Sequence, residues 1–272
     1  MNKKFLELAK KSKVIVIKVG SNILVNEKHV LRRKWLNSLI EDVKELQKRG
    51  SRIVIVSSGA IALGRNILSK RKLTNLHEKQ AAASIGQIQL SQQWQKAFAK
   101  LNIQSSQILI TAEDLNERRK YLNIRNTIYS LMDLNVVPII NENDTTSTEE
   151  IRFGDNDKLS AMIANALSAE LLILLSDVNG LYTANPKKSL QAKLITSVEE
   201  VDQQIEKYID KDLSEFGSGG MLAKINAAKL CIQSGSTMII SNGLVNNPLS
   251  KIDPQSSTCL LYTSPSPRDR FL

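Results

Sequence analysis

Histidine, cysteine and aromatic side chains are all scarce in this chain, and each shortage removes a class of chemistry. There are two histidines, His29 and His77, and neither falls in the segments that carry reactive groups, so no histidine base is apparent. The two cysteines, Cys231 and Cys259, form no CxxC, which points to a reducing compartment without structural zinc. Aromatic residues make up 4% of the chain, so the core must be built from Ile, Leu, Val and Ala. That palette suits a parallel sheet covered by helices. The basic residues are spread along the chain without the interleaved aromatics on which single-stranded nucleic acid stacks. The formal charge of +10 is met equally well by a protein that handles small anions, or by a lysine-rich codon bias. No apolar run reaches the length of a membrane span, and Met1-Asn2-Lys3-Lys4-Phe5 opens no signal-peptide core. The expectation is a cytoplasmic protein with no membrane or nucleic-acid role.

What is present is a regular alternation of short β-rich apolar runs and longer helical stretches over 272 residues. Val14 to Val19, Ile53 to Val56, Ile108 to Ile110, Val136 to Ile140, Leu171 to Leu175 and Thr237 to Ile240 read as strands. Between them, Leu31 to Arg49, Ala60 to Leu68, His77 to Lys100, Tyr121 to Leu134, Leu159 to Leu167 and Met221 to Ser234 read as helices, the first stopped by Gly50. The pattern predicts an α/β fold, a three-layer αβα sandwich with a mainly parallel central sheet. With no internal repeat or linker, residues 1–258 read as one domain. The polar, Pro-rich end, 259–272, reads as a disordered or artefactual tail.

Chemistry-bearing residues gather at predicted strand ends, where open α/β sheets place their ligands. Lys18-Val19-Gly20-Ser21 closes the first strand and Ser57-Ser58-Gly59-Ala60 the second. Phe153-Gly154-Asp155-Asn156-Asp157-Lys158 follows the Val136 strand. Ser176-Asp177-Val178-Asn179-Gly180 closes the Leu171 strand, and Gly217-Ser218-Gly219-Gly220-Met221-Leu222-Ala223-Lys224 runs into a helix. Taken singly, each has a bland counterpart: an acidic loop, a turn, a solvated lysine, an N-cap. Together, glycine turns, helix N-termini and lysines form an inventory for phosphate oxygens. The chain has neither the GxxxxGK[ST] loop nor the HRD and DFG set of protein kinases. An acceptor hydroxyl needs a base, whereas a carboxylate is already ionised at neutral pH. Two lysines and a metal carried on the nucleotide would offset the repulsion between two anions. The inventory fits acyl-phosphate formation.

The same segments, with Pro138-Ile139-Ile140-Asn141-Glu142-Asn143-Asp144 and Gly154-Asp155-Asn156-Asp157, resemble the glutamate 5-kinase branch of the amino-acid kinase family, from about Lys13 to Gly243. Its aspartate and acetylglutamate relatives carry Lys-x-Gly-Gly where this chain has Lys-Val-Gly-Ser. The resemblance implies that ATP, with Mg²⁺ held on the nucleotide, phosphorylates the γ-carboxylate of L-glutamate, opening proline synthesis. It implies catalytic roles for Lys18, Lys224 and Asp157, the aspartate orienting the two lysines. Ser58, Asp144 and Asn156 match glutamate-binding positions, with Asp155 close by. Lys18, Ser176, Asp177 and Ser218, Gly219, Gly220, Met221, Leu222, Ala223 and Lys224 match nucleotide positions. No protein metal cage is expected, and a C-terminal domain of the PUA type is expected to be absent. A homodimer or homotetramer, and association with glutamate-5-semialdehyde dehydrogenase, are family expectations. The alternatives are a family member acting on aspartate, acetylglutamate, carbamate or UMP, which a substrate panel separates, and a non-catalytic RNA-binding relative, which salt-dependent nucleic-acid binding would reveal.

Overall fold

The computed structural model describes residues 1–69, 72–147, 155–184, 189–198, 219–253 and 259–261. In chain order these form α1 (Lys3–Lys11), β1 (Val14–Val19), α2 (Ser21–Leu24), α3 (Arg33–Lys48), β2 (Arg52–Ser57), α4 (Ala60–Ile67), α5 (Leu76–Ala99), β3 (Gln104–Ile110), α6 (Arg118–Asp133) and β4 (Val136–Glu142). They continue with α7 (Asp155–Ala166), β5 (Leu171–Ser176), β6 (Leu181–Tyr182), β7 (Leu194–Ile195), β8 (Ser197–Val198), α8 (Gly219–Ser234), β9 (Thr237–Asn242) and β10 (Cys259–Leu261). The main sheet runs β3-β4-β2-β1-β5-β9-β10-β8. Its first six strands are parallel, and β10 joins β9 antiparallel.

The strand period of two sorts the apolar side chains into two cores, one on each face of the sheet. Ile15, Ile17, Ile53, Ile55, Leu171 and Ile173 pack against α1, α3, α4 and α5. Val14, Val16, Val54, Val56, Leu172 and Leu174 face α6, α7 and α8. Both β1 and β5 are buried along their whole length, which is why each reads as an unbroken apolar run. The αβα sandwich is therefore the observed architecture, and among the described residues no helix is long and apolar enough to cross a membrane.

Several local signals set the element ends. The Asn75 carboxamide caps α5 by accepting from Glu78 N (2.9 Å), while the Glu78 carboxylate accepts from Thr74 N (2.7 Å), two N-terminal donors met reciprocally. Gly50 takes φ 95° just past α3, the left-handed residue that stops a helix. Helices α4 and α5 cross with almost no space between their backbones. A Cβ built on Gly64 would lie 1.8 Å from the Ala82 carbonyl oxygen, and one on Gly86 1.8 Å from that of Ala60.

Besides the short α2, β6, β7 and β8, which the sequence reading did not anticipate, the structure differs from it in four places. Helix α1 is additional; its two buried apolar residues, Phe5 and Ala9, sit one turn apart in a Lys-rich stretch, too sparse a stripe to announce itself. Strand β3 extends back to Gln104, because an edge strand tolerates the polar run Gln104-Ser105-Ser106-Gln107. Helix α7 begins at Asp155 rather than Leu159. The expected start of the tail falls inside a strand: Cys259 lies opposite Ile240 in β10, and residues 262–272 lie outside the described ones. Before it, Leu249 and Ile252 are fully buried. There the Asp42 carboxylate of α3 accepts from Leu249 N (2.9 Å), Ser250 N (3.2 Å) and the Ser250 hydroxyl. Burial raises the Asp42 carboxyl above its ordinary value, against the pull of those hydrogen bonds.

Candidate active site

The carboxyl ends of β1, β2, β4, β5 and β9 open on one edge of the sheet. The order of the strands reverses beside β1, as it does where α/β sheets bind ligands. Lys18 is an even-numbered residue of β1, so its side chain leaves on the face of Val14 and Val16, toward α7. There the first turn of α7 presents Asp157, and α8 brings Lys224 from the side. Asp157 Oδ1 is 2.5 Å from Lys18 Nζ and its Oδ2 is 3.0 Å from Lys224 Nζ. One carboxylate thus spans two ammonium groups, with side-chain exposures of 9% for Lys18, 11% for Lys224 and 1% for Asp157.

The electrostatics of this bridge follow from its burial. Removal from water pulls the Lys18 ammonium below its ordinary value of 10.5; Asp157 opposes the shift and Lys224 adds to it. Burial also works to raise the Asp157 carboxyl, but the two ammonium groups outweigh it and hold the group below its ordinary 3.8. Within the bridge two cations face one anion, and the more weakly acting Asp177 carboxylate offsets part of that excess positive charge. The excess lies in a nearly water-free spot, where it acts strongly on an incoming anion.

The residue before Asp157 serves a different set of partners. Asn156 Nδ2 donates toward the Ser58 hydroxyl (2.7 Å), the Ser57 carbonyl (3.0 Å) and Asn141 Oδ1 (3.0 Å). Asn141, buried at the end of β4, donates to Gln87 Oε1 of α5 at 2.8 Å, and Trp94 Nε1 of α5 donates to the Ser57 hydroxyl at 2.9 Å. Asn156 Oδ1 is buried with no hydrogen-bond partner among the described residues. Gly59 turns the chain from β2 into α4 with φ 111°, a conformation open to glycine and strained for other residues. Asp144 lies in the turn after β4, where Asn143 O accepts from Thr146 N and Ser147 N.

On the far side, Ser176 ends β5 and its hydroxyl donates to Asp177 Oδ1 at 3.3 Å. Asn242 at the end of β9 donates to Asn179 Oδ1 (2.9 Å), and Asn179 donates to the Tyr182 hydroxyl (3.3 Å). Gly219 and Gly220 already belong to α8, Met221 and Ala223 are half-buried and Leu222 is exposed. Ser218 and the side chain of Asp155 lie outside the described residues.

The structure thus brings Lys18, Asp157 and Lys224 into direct contact, joins Asn156 to Ser58, and sets Ser176 and Asp177 across from them. Sequence reasoning held Asn141 and Asn179 within its motifs without giving either a role, and passed over Gln87 and Asn242. Asn141 had a signal, standing at a strand end two residues beyond the core residue Ile139. Gln87 had none, because only the α5–β4 packing reveals its partner.

The sequence profile of the Amino acid kinase family matches residues 13–242. This chain belongs to that family. Among its relatives, a glutamate 5-kinase from Pelagibacter ubique is 50% identical over 248 residues, covering 91% of this chain and 67% of that protein. One from Brucella abortus is 47% identical over 254 residues, covering 93% and 67%. Two solved structures share the fold at low identity. A UMP kinase from Ureaplasma parvum superposes with TM-score 0.65 at 16% identity, over 92% of this chain and 99% of that one. A carbamate kinase from Giardia lamblia bound to AMP-PNP gives TM-score 0.62 at 15% identity, over 94% and 100%.

Proposed function

We propose that this amino acid kinase family member transfers the γ-phosphoryl group of ATP to the γ-carboxylate of L-glutamate, giving γ-glutamyl phosphate and ADP for proline synthesis. The observation that carries the reading is the buried Lys18–Asp157–Lys224 bridge at the sheet edge. The glutamate 5-kinase relatives at 47–50% identity choose the acceptor within the family.

The roles follow from charge. Lys18 and Lys224 sit where a phosphoryl group can lie against both ammonium groups, stabilising charge that develops on its oxygens. Asp157 holds the two lysines at a fixed separation, which removes the reorganisation a free lysine would need. No residue has to remove a proton, since the attacking carboxylate is already ionised. Ser58 donates to a substrate carboxylate, while Asp144 and the unpartnered Asn156 Oδ1 receive the α-ammonium. Ser176, Asp177 and the stretch Ser218 to Lys224 line the nucleotide side. Mg²⁺ bound to the nucleotide would supply further charge neutralisation. The excess cation of the bridge and the N-terminus of α8 fit such an anion. Among the described residues no group of three His, Cys, Asp or Glu stands ready to hold a metal. Within this reading the enzyme works in the cytoplasm as a homodimer or homotetramer. Its labile product also favours contact with glutamate-5-semialdehyde dehydrogenase.

The test follows ADP release with ATP and Mg²⁺, offering glutamate, aspartate, acetylglutamate, carbamate and UMP separately, and traps acyl phosphate with hydroxylamine. Glutamate-dependent hydroxamate is expected. Turnover with another acceptor and none with glutamate would overturn the assignment.

A further inference from the structure

A second cleft, of about 690 Å³, lies away from the strand ends, between the N-terminus of α3, helices α4 and α5, and the segment after β9. Its volume is in the range of small-molecule sites, and it shares no residue with the site described above. One wall carries Arg32, Arg33 and Lys34 in succession, and no acidic residue lines the cleft. Arg32 is the N-cap of α3, with no side-chain capping bond and no acid in the first turn. Three cations at the positive end of a helix dipole repel it. Among the described residues no ion pair compensates them. The Arg32 Nε and, across the cleft, Gln89 Oε1 of α5 are both buried without hydrogen-bond partners there. Such unmet groups call for an explanation. Leu31, Leu63 and Trp35 supply an apolar floor.

We propose that this cleft binds a small organic anion: a phosphate or carboxylate head against Arg32, Arg33 and the free N–H groups of α3, with an apolar or amide-bearing body toward Leu63 and Gln89. The head supplies an anion to the Arg32 and Arg33 guanidinium groups and the charge that the helix terminus lacks. The cleft also touches both halves of the active site through rigid parts. Leu63 belongs to α4, whose N-terminus is Ser58-Gly59. Trp35 Nε1 donates to the Gly243 carbonyl at 2.6 Å, and Gly243 N donates to the Ser176 carbonyl at 2.7 Å. These contacts tie the walls of the cleft to the ends of β2 and β5.

The experiment titrates the full chain, its nucleotide site filled with ADP, with phenyl phosphate, benzoate and inorganic phosphate by calorimetry, and records melting curves alongside. Saturable 1:1 binding by phenyl phosphate or benzoate is expected, tighter than inorganic phosphate, with a rise in Tm. The tighter of the two identifies the head group. The Arg32→Gln, Arg33→Gln double variant should bind at least tenfold more weakly while its ligand-free Tm stays level or rises, because the repulsion at α3 is relieved. Should that variant fail to fold, Gln89→Leu replaces it, with several-fold weaker binding expected. Equal affinity in parent and variant, displacement by glutamate, or no saturable binding by any of the three probes would overturn the proposal.

Discussion

The two halves of the active site are built from opposite materials. On the lysine side, full charges are taken out of water and hold one another in place; on the Ser58 side, neutral amides and hydroxyls form a relay from α5 to α7. Asn156 and Asp157 are consecutive, so the first turn of α7 hands one side chain to each half. A buried ion pair tolerates the loss of a partner poorly, because the survivor stays charged and desolvated. An amide relay loses one hydrogen bond at a time, each worth about 0.5–1.5 kcal/mol net. The contrast assigns steep, all-or-none effects to one half and graded effects to the other.

Asp157→Asn should break that contrast most severely. It keeps the shape, leaves two buried ammonium groups without their carboxylate, and is expected to cost about 3–5 kcal/mol of stability along with nearly all turnover. Chemical denaturation and the hydroxamate rate measure both; a variant as stable as the parent would contradict the bridge. Next come Lys18→Ala and Lys224→Ala, each expected to lower kcat by roughly 10²–10³ while the fold persists. Asp144→Ala should act on glutamate KM by about tenfold with a smaller change in kcat, as removal of ground-state binding does; an unchanged KM would contradict the contact proposed for it with the α-ammonium. Gln87→Leu should show the smallest mutational effect, a few-fold rise in KM, and should be non-additive with Asn141→Ala in a double-mutant cycle.

Acidity offers a subtler probe of the same divide. The Asp157 carboxyl is held below its ordinary 3.8, so its contribution to stability is present above that value and is lost as pH falls through the lower, folded one. Melting temperatures taken down from roughly pH 5 should fall more steeply for the parent than for Asp157→Asn. The Lys18 ammonium is held below 10.5, so the alkaline limb of kcat should fall below that pH. A limb at or above it would mean Lys18 titrates as an ordinary lysine.

How far these features were legible follows from the range over which they act. Strands β1 and β5 announce themselves because both faces are covered, and every residue from Val14 to Val19 is apolar except Lys18, whose burial the site explains. The charged half was legible too, since Lys18 stands before a glycine at a strand end and Asp157 and Lys224 follow glycine-bearing turns whose motifs carried the family resemblance. The amide relay was legible only at its Ser58 and Asn156 end. Gln87 lies mid-helix among polar residues, and its tie to Asn141 spans 54 positions in the chain. Helix α1 escaped because two buried residues make too sparse a stripe, and the polar start of β3 because an edge strand relaxes the apolar pattern that sequence reading relies on. The start of α7 escaped for another reason. Asp155-Asn156-Asp157 has the composition of a loop, yet acids at a helix N-terminus are favoured by its dipole, and the site uses that rigidity to aim two side chains.

The crossing of α4 and α5 sets a rule for anyone who would engineer this enzyme for heat. Glycines inside helices are the usual first targets, since alanine gains about 1 kcal/mol in helix propensity and reduces the freedom of the unfolded chain. Gly64 and Gly86 invite that replacement and should refuse it. A methyl group at position 86 would press on the carbonyl of Ala60, the first residue of α4, and so on the turn that carries Ser58. With Ser58 in its proposed role, a thermostability library that includes these two positions would be selecting, unawares, against glutamate affinity.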